Sequence, residues 1–100
     1  MTITRNYKAV FGIQLSFDGI WRYILSGDDV LTLDFYGLSS NIKLLTKQLT
    51  AEDVDEKDKI INIELSEQET ALLPCGMIKM IGTIDGIVCV PTKFICVKEV

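Results

Sequence analysis

"IINIELSEQETALLPCGMIKMIGTIDG", residues 60 to 86, decides the fold class. Ile61, Ile63 and Leu65 stand at every second position with Asn62 and Glu64 between them, the two-residue period of a half-buried strand. Ser66 then precedes Glu69 by three residues, the spacing of a capping box: the serine hydroxyl accepts from the Glu69 amide, and the Glu69 carboxylate reaches back to the Ser66 amide. Ala71, Leu72 and Leu73 add apolar groups. Pro74 cannot continue a helix and Gly76 accepts a left-handed turn, so the helical turn covers about 66–73. So short a helix is marginal alone; tertiary contact must hold it, with Leu72 or Leu73 plugging one end of a sheet sandwich. It reads as a corner connection between strands rather than as a recognition element presenting Glu67, Gln68 and Glu69. Beyond it, "GMIKMIGTI" and "GIVCV" flank Asp85-Gly86, a pair suited to a type I′ hairpin because both positions accept positive φ.

The same period extends outward in both directions. Phe11, Ile13, Leu15 and Phe17 alternate with small or polar residues, "DG" at 18 and 19 turns the chain, and Trp21, Tyr23 and Leu25 share a face opposite Arg22 and Ile24. These segments predict an N-terminal hairpin. Leu31, Leu33 and Phe35 alternate up to Gly37 as a third strand. "NIKLLTK" at 41–47 gives a fourth, with Ile42 and Leu44 on one face and Lys43, Leu45 and Lys47 on the other. "TAEDVDEKDK" at 50–59 is dense in mixed charge and reads as a solvated loop. Downstream, Pro91 cannot donate to a ladder and marks a strand end or an edge before the last run, "KFICVKEV". About seven short strands and one helical turn in 100 residues make a single all-β domain, a small antiparallel sandwich or barrel.

Composition narrows the function. Hydrophobic residues are 48% of the chain, high for a protein with so few interior positions, so part of that apolar surface is expected to face a partner, and a homo-oligomer is the simplest one. The net charge is −4 and Lys and Arg nowhere cluster, which argues against nucleic-acid binding. No apolar run approaches the roughly 20 residues of a membrane span, and no segment has the apolar core and cleavage site of a signal peptide. Neither membrane insertion nor secretion by that route is expected. Cys75, Cys89 and Cys96 form no C-x-x-C pair and read as reduced thiols, although a hairpin at "CVPTKFIC" would set Cys89 across from Cys96.

Catalytic and metal chemistry find no constellation. Histidine is absent, removing the commonest general base. Asp28 and Asp29 are adjacent, so on a strand they point to opposite faces, and only Asp34 could join one of them. The acidic run Glu52, Asp53, Asp55, Glu56 and Asp58 lacks the glycine of a calcium-binding loop and carries Lys57 and Lys59 among its candidate ligands. No catalytic, cofactor-binding or metal residue is assigned. Aromatics supply the candidate interaction surface, Trp21, Tyr23 and Tyr36; a sandwich of this size also needs a Trp and a Phe in its core, the commoner use of such residues, and Tyr36, out of phase with Phe35, is the one expected outward.

In order along the chain, "GDDVLTLDF" at 27–35, "GLSSNIKLL" at 37–45, "IINIELSEQETALLPCGMIKMIGTIDG" at 60–86 and the closing "KFICV" resemble small immunoglobulin-like domains of tailed phages and prophages, typified by the N-terminal domain of upper baseplate proteins. In that family the Gly-Asp opens the first strand and the "LSEQET" turn joins two strands. The resemblance implies an antiparallel immunoglobulin-like β-sandwich over residues 27–98, with residues 1–26 added as the N-terminal hairpin. It further implies a non-enzymatic structural or adaptor component of a tail or baseplate. Such a protein would be made in the host cytoplasm, reside in the virion, and assemble with copies of itself and other virion proteins without a cofactor. The hairpin and the Pro91 side are the edges at which copies would pair. The alternative is a module that binds a host-surface glycan or protein through its exposed aromatics.

Overall fold

The computed structural model describes residues 1–17, 20–22, 27–39, 41–55, 57 and 60–99. The chain is all-β. Its strands are β1 (Thr2–Thr4), β2 (Ala9–Ile13), β3 (Leu15–Phe17), β4 (Ile20–Arg22), β5 (Leu31–Gly37), β6 (Lys43–Leu49), β7 (Val54–Asp55), β8 (Ile60–Leu65), β9 (Gly76–Ile84) and β10 (Ile87–Lys98). A 3₁₀ turn at Ala51–Asp53 precedes β7, and helix α1 (Glu67–Ala71) joins β8 to β9. One sheet has the order β1-β10-β9-β5-β6, a second the order β2-β8-β7, and β3 pairs with β4.

One core joins the sheets. Leu31, Leu33 and Phe35 of β5, Ile78 and Met80 of β9, and Ile95 and Val97 of β10 meet Ile61, Ile63 and Leu65 of β8 and Ile13 of β2 in a single buried cluster. The alternation that predicts these strands is therefore also what fills the core. Ser66 caps α1 with the reciprocal Glu69 bonds of a capping box. Leu73 is the residue that plugs the sandwich, whereas Leu72 points to solvent. Asp85 and Gly86 both have positive φ, 50° and 80°, as a type I′ turn requires.

Several expectations change. The larger sheet is mixed rather than purely antiparallel, because β1 runs parallel to β10, pairing Thr2 with Cys96 and Thr4 with Lys98. Three residues are too few to show a period. After β1 the chain turns at Asn6, whose φ is 69°, and crosses to the other sheet, where Phe11 of β2 pairs with Ile63 of β8. Residues 1–26 are expected to form one hairpin; the structure keeps a hairpin at β3–β4, with Phe17 opposite Ile20, and gives β1 and β2 to the two sheets. The Asp18-Gly19 turn lies outside the described residues. Within the expected loop at 50–59, Ala51 and Val54 pack against the core, so that stretch is not wholly solvated.

Pro91 does not end a strand. β10 continues past it to Lys98, with register shifts on either side of Val90. Such bulges leave an extra residue outside the ladder, which is where a proline can sit. They also turn the consecutive Cys89 and Val90 inward together. The hairpin that would have faced Cys89 with Cys96 is thus absent: both lie on β10, and all three cysteines are free.

Candidate interaction surface

The outer face of the five-stranded sheet collects side chains that packing does not use. Register puts Phe94, Lys79, Tyr36 and Lys43 in one row across β10, β9, β5 and β6. Directly opposed residues share a face, so the four project together. The Lys79 ammonium lies 5.9 Å from the centre of the Tyr36 ring, within reach of a cation–π attraction. Phe94 is 56% exposed, and Met77, opposite Cys96 in the neighbouring row, is also exposed. A shallow depression of about 260 Å³ opens beside the row between Tyr36, Asn41, Lys79 and Ile81. Asp34, on the same face, accepts from Thr46 Oγ1 at 2.8 Å and lies 3.7 Å from Lys43 Nζ.

Helix α1 forms a polar junction at the end of the sandwich. Lys47 Nζ donates to both Glu69 oxygens, at 3.0 and 3.2 Å, and the Ser66 amide donates to Glu69 Oε1 at 2.9 Å. Burial opposes ionisation of Glu69, but the Ser66 amide, Lys47 and the Ser66 hydroxyl outweigh it and hold the carboxyl below its ordinary value. Thr70, fully buried, donates its hydroxyl to the Tyr7 carbonyl at 2.9 Å and lies 3.1 Å from the Glu67 carbonyl. Arg5 reaches the Ala71 carbonyl at 3.4 Å through two guanidinium nitrogens. Each group thus has a structural partner, and the junction clamps α1 to β6 and to the β1–β2 crossing. Sequence gives the Ser66 and Glu69 roles; the Lys47, Arg5 and Tyr7 contacts come from distant parts of the chain.

Of the three aromatics expected at the surface, Tyr36 lies on the outer face. Trp21 belongs to β4, but its side chain lies outside the described residues, as does Tyr23 altogether. Phe94, Lys79 and Met77 are surface residues the sequence reading misses. Phe94 alternates with Lys93 and Ile95, so period alone cannot say which face meets the core. Asp34 is engaged with Thr46 and Lys43. Among the described residues, no group of three or more His, Cys, Asp or Glu side chains is placed to hold a metal ion, and no helix is long and apolar enough to cross a membrane.

Compared with protein-family models, curated proteins and solved structures, the chain has no match in any of the three. The surface must therefore be interpreted from its own chemistry. The row sets aromatic area beside two lysines, one of them within cation–π reach of Tyr36.

Proposed function

We propose that this chain is a non-enzymatic structural or adaptor component of a phage or prophage tail or baseplate, built as an immunoglobulin-like sandwich and acting through protein–protein assembly. The observation that carries the assembly reading is the placement of exposed Phe94, Met77 and Val88 on the outer face of the β9–β10 ribbon, away from the buried core. Large apolar groups gathered on one ribbon are the expected signature of a face covered in use.

The immunoglobulin-like reading is supported by strand order. What supports it is a five-stranded sheet in which β1 lies parallel to β10, alongside a separate three-stranded sheet of β2, β8 and β7, a division into two sheets that a Greek-key sandwich requires. The phage reading is supported by where the resembling motifs fall: "GDD" before β5, "LSEQET" on the α1 corner, and "DG" at the β9–β10 turn. Peptide mass spectrometry of gradient-purified tailed particles from the producing strain tests it. The chain is expected in stoichiometric amount with other tail proteins, and its absence from such particles overturns the virion assignment.

A further inference from the structure

Among the described residues, the three-stranded sheet ends at β2, which pairs with β8 on one side only. Edge strands invite pairing with another chain, and folded proteins guard them with lysines, prolines, bulges or shortness. The other sheet edges here are guarded. β6 carries Lys43 and Lys47 and a bulge in its pairing, while β1, β3 and β4 have only three residues each and β7 two. β2 runs for five residues, Ala9-Val10-Phe11-Gly12-Ile13, with none of these devices. Lys8, just before it, is drawn away toward β8, where Glu64 holds its ammonium at 2.8 Å.

The flank beside this edge is open. A cleft of about 600 Å³ lies between β1 and the first part of β2, and a second of about 360 Å³ continues past Gly12 and Gln14; Met1 borders both. Val10 projects from the strand 65% exposed. Phe11 and Ile13 alternate with it toward the core.

We propose that the free edge of β2 is an isologous dimerisation site whose occupant is β2 of a second copy, paired antiparallel about Phe11. The strand is complementary to itself in that register. Phe11 faces its own counterpart, Ala9 faces Ile13, and the exposed Val10 lies beside Gly12, over which the Ile60 side chain of β8 leans and offers an apolar contact. Lys8 falls opposite Gln14, so no like charges meet. The two three-stranded sheets become one continuous sheet, β7-β8-β2-β2-β8-β7, related by a two-fold axis, the commonest symmetry of homo-oligomers. A five-residue strand pair spans about 17 Å, small for a permanent interface. The dimer belongs to the weak class, with a dissociation constant on the order of 100 μM.

The proposal rests on the assembly reading only in taking a second copy as the occupant. Sedimentation equilibrium on the full chain from about 10 μM to 1 mM, a range set to bracket that constant, tests it alongside backbone hydrogen exchange at both ends of the range. The wild type should shift from monomer toward dimer, and alternate amides of Ala9–Ile13 should exchange more slowly at high concentration. Val10→Lys should weaken association at least tenfold without changing the thermal midpoint, and Phe94→Lys should leave it unaltered. If Phe94→Lys abolishes association while Val10→Lys does not, and β2 exchange is independent of concentration, the β2 site is wrong and the assembly reading stands. A chain monomeric throughout the range overturns both the β2 site and self-assembly.

Discussion

Gly82 shows how a single residue fixes the geometry of the long ribbon. The bulges around Val90 press that side chain inward against Gly82, so a Cβ built at Gly82 would lie 2.6 Å from Val90 Cβ and Cγ2 and 3.0 Å from Leu33 Cδ2. Gly82→Ala is therefore an overpacking substitution, expected to destabilise by about 1–3 kcal/mol in urea titration. Combining it with Val90→Ala should recover part of the loss expected from summing the two single changes, since the methyl and the valine compete for one space. An additive double variant would show that the contact at Gly82 is not what excludes the side chain. Cys89 sits in the same region, fully buried, with its thiol 3.7 Å from the Gly82 carbonyl. Burial pushes its pKa up; bonding from the Cys89 and Val90 backbone works the other way, and the charge of Asp29 adds to the rise. A thiol reagent at pH 8 is expected to label exposed Cys75 promptly and Cys89 only at the rate of chain opening, read by mass spectrometry of timed samples.

Among the elements, α1 is the one whose local sequence and tertiary setting agree most completely. Its capping box, its proline stop and its apolar plug are legible because each depends on residues within a few positions. What holds it is not legible, since Lys47, Arg5 and Tyr7 approach from distant segments. The Lys47–Glu69 pair also has a pH signature. Glu69 has a folded-state pKa below its ordinary 4.5, so its contribution to stability is complete above that value and is lost as pH falls through the lower, folded-state pKa. The thermal midpoint is expected to fall as the pH drops below that ordinary value, through the depressed folded-state pKa. Glu69→Gln keeps an oxygen for the capping box while removing the charge, and should flatten part of that fall at a cost of about 0.5–1 kcal/mol at neutral pH. An identical pH profile for the variant would mean that Glu69 does not carry the acid sensitivity. β10 is the opposite case. Pro91 reads as a boundary in one dimension, and only the bulges beside it, which exist because β9 sets the register, let the strand continue.

At the scale of the whole molecule, periodicity identifies the inward residues of β5, β8 and β9, whereas it says nothing of which strands are neighbours or of a three-residue strand. The surface is the least legible part: an exposed Phe94 and a buried Ile95 differ only in the face they occupy. The N-terminal segment is where this matters most, because the sequence sets residues 1–26 apart from a core beginning at 27. In the structure Ile3 is buried, β1 pairs with β10 along three residues, and the Arg5 amide donates to the Lys98 carbonyl at 2.7 Å. Deleting residues 1–5 therefore strips an edge strand from the larger sheet and uncovers Val97. Burial of one isoleucine contributes about 1.5–3 kcal/mol and each net backbone hydrogen bond about 1 kcal/mol, so the loss should reach about 3–5 kcal/mol. That is a large share of the roughly 5–15 kcal/mol that stabilises a small domain. The truncated chain should melt about 15–30 °C lower than the intact one by calorimetry, or fail to fold. A midpoint within a few degrees of the full chain would instead show that the segment is an appendage, and that the parallel β1–β10 pairing contributes little to the stability of the fold.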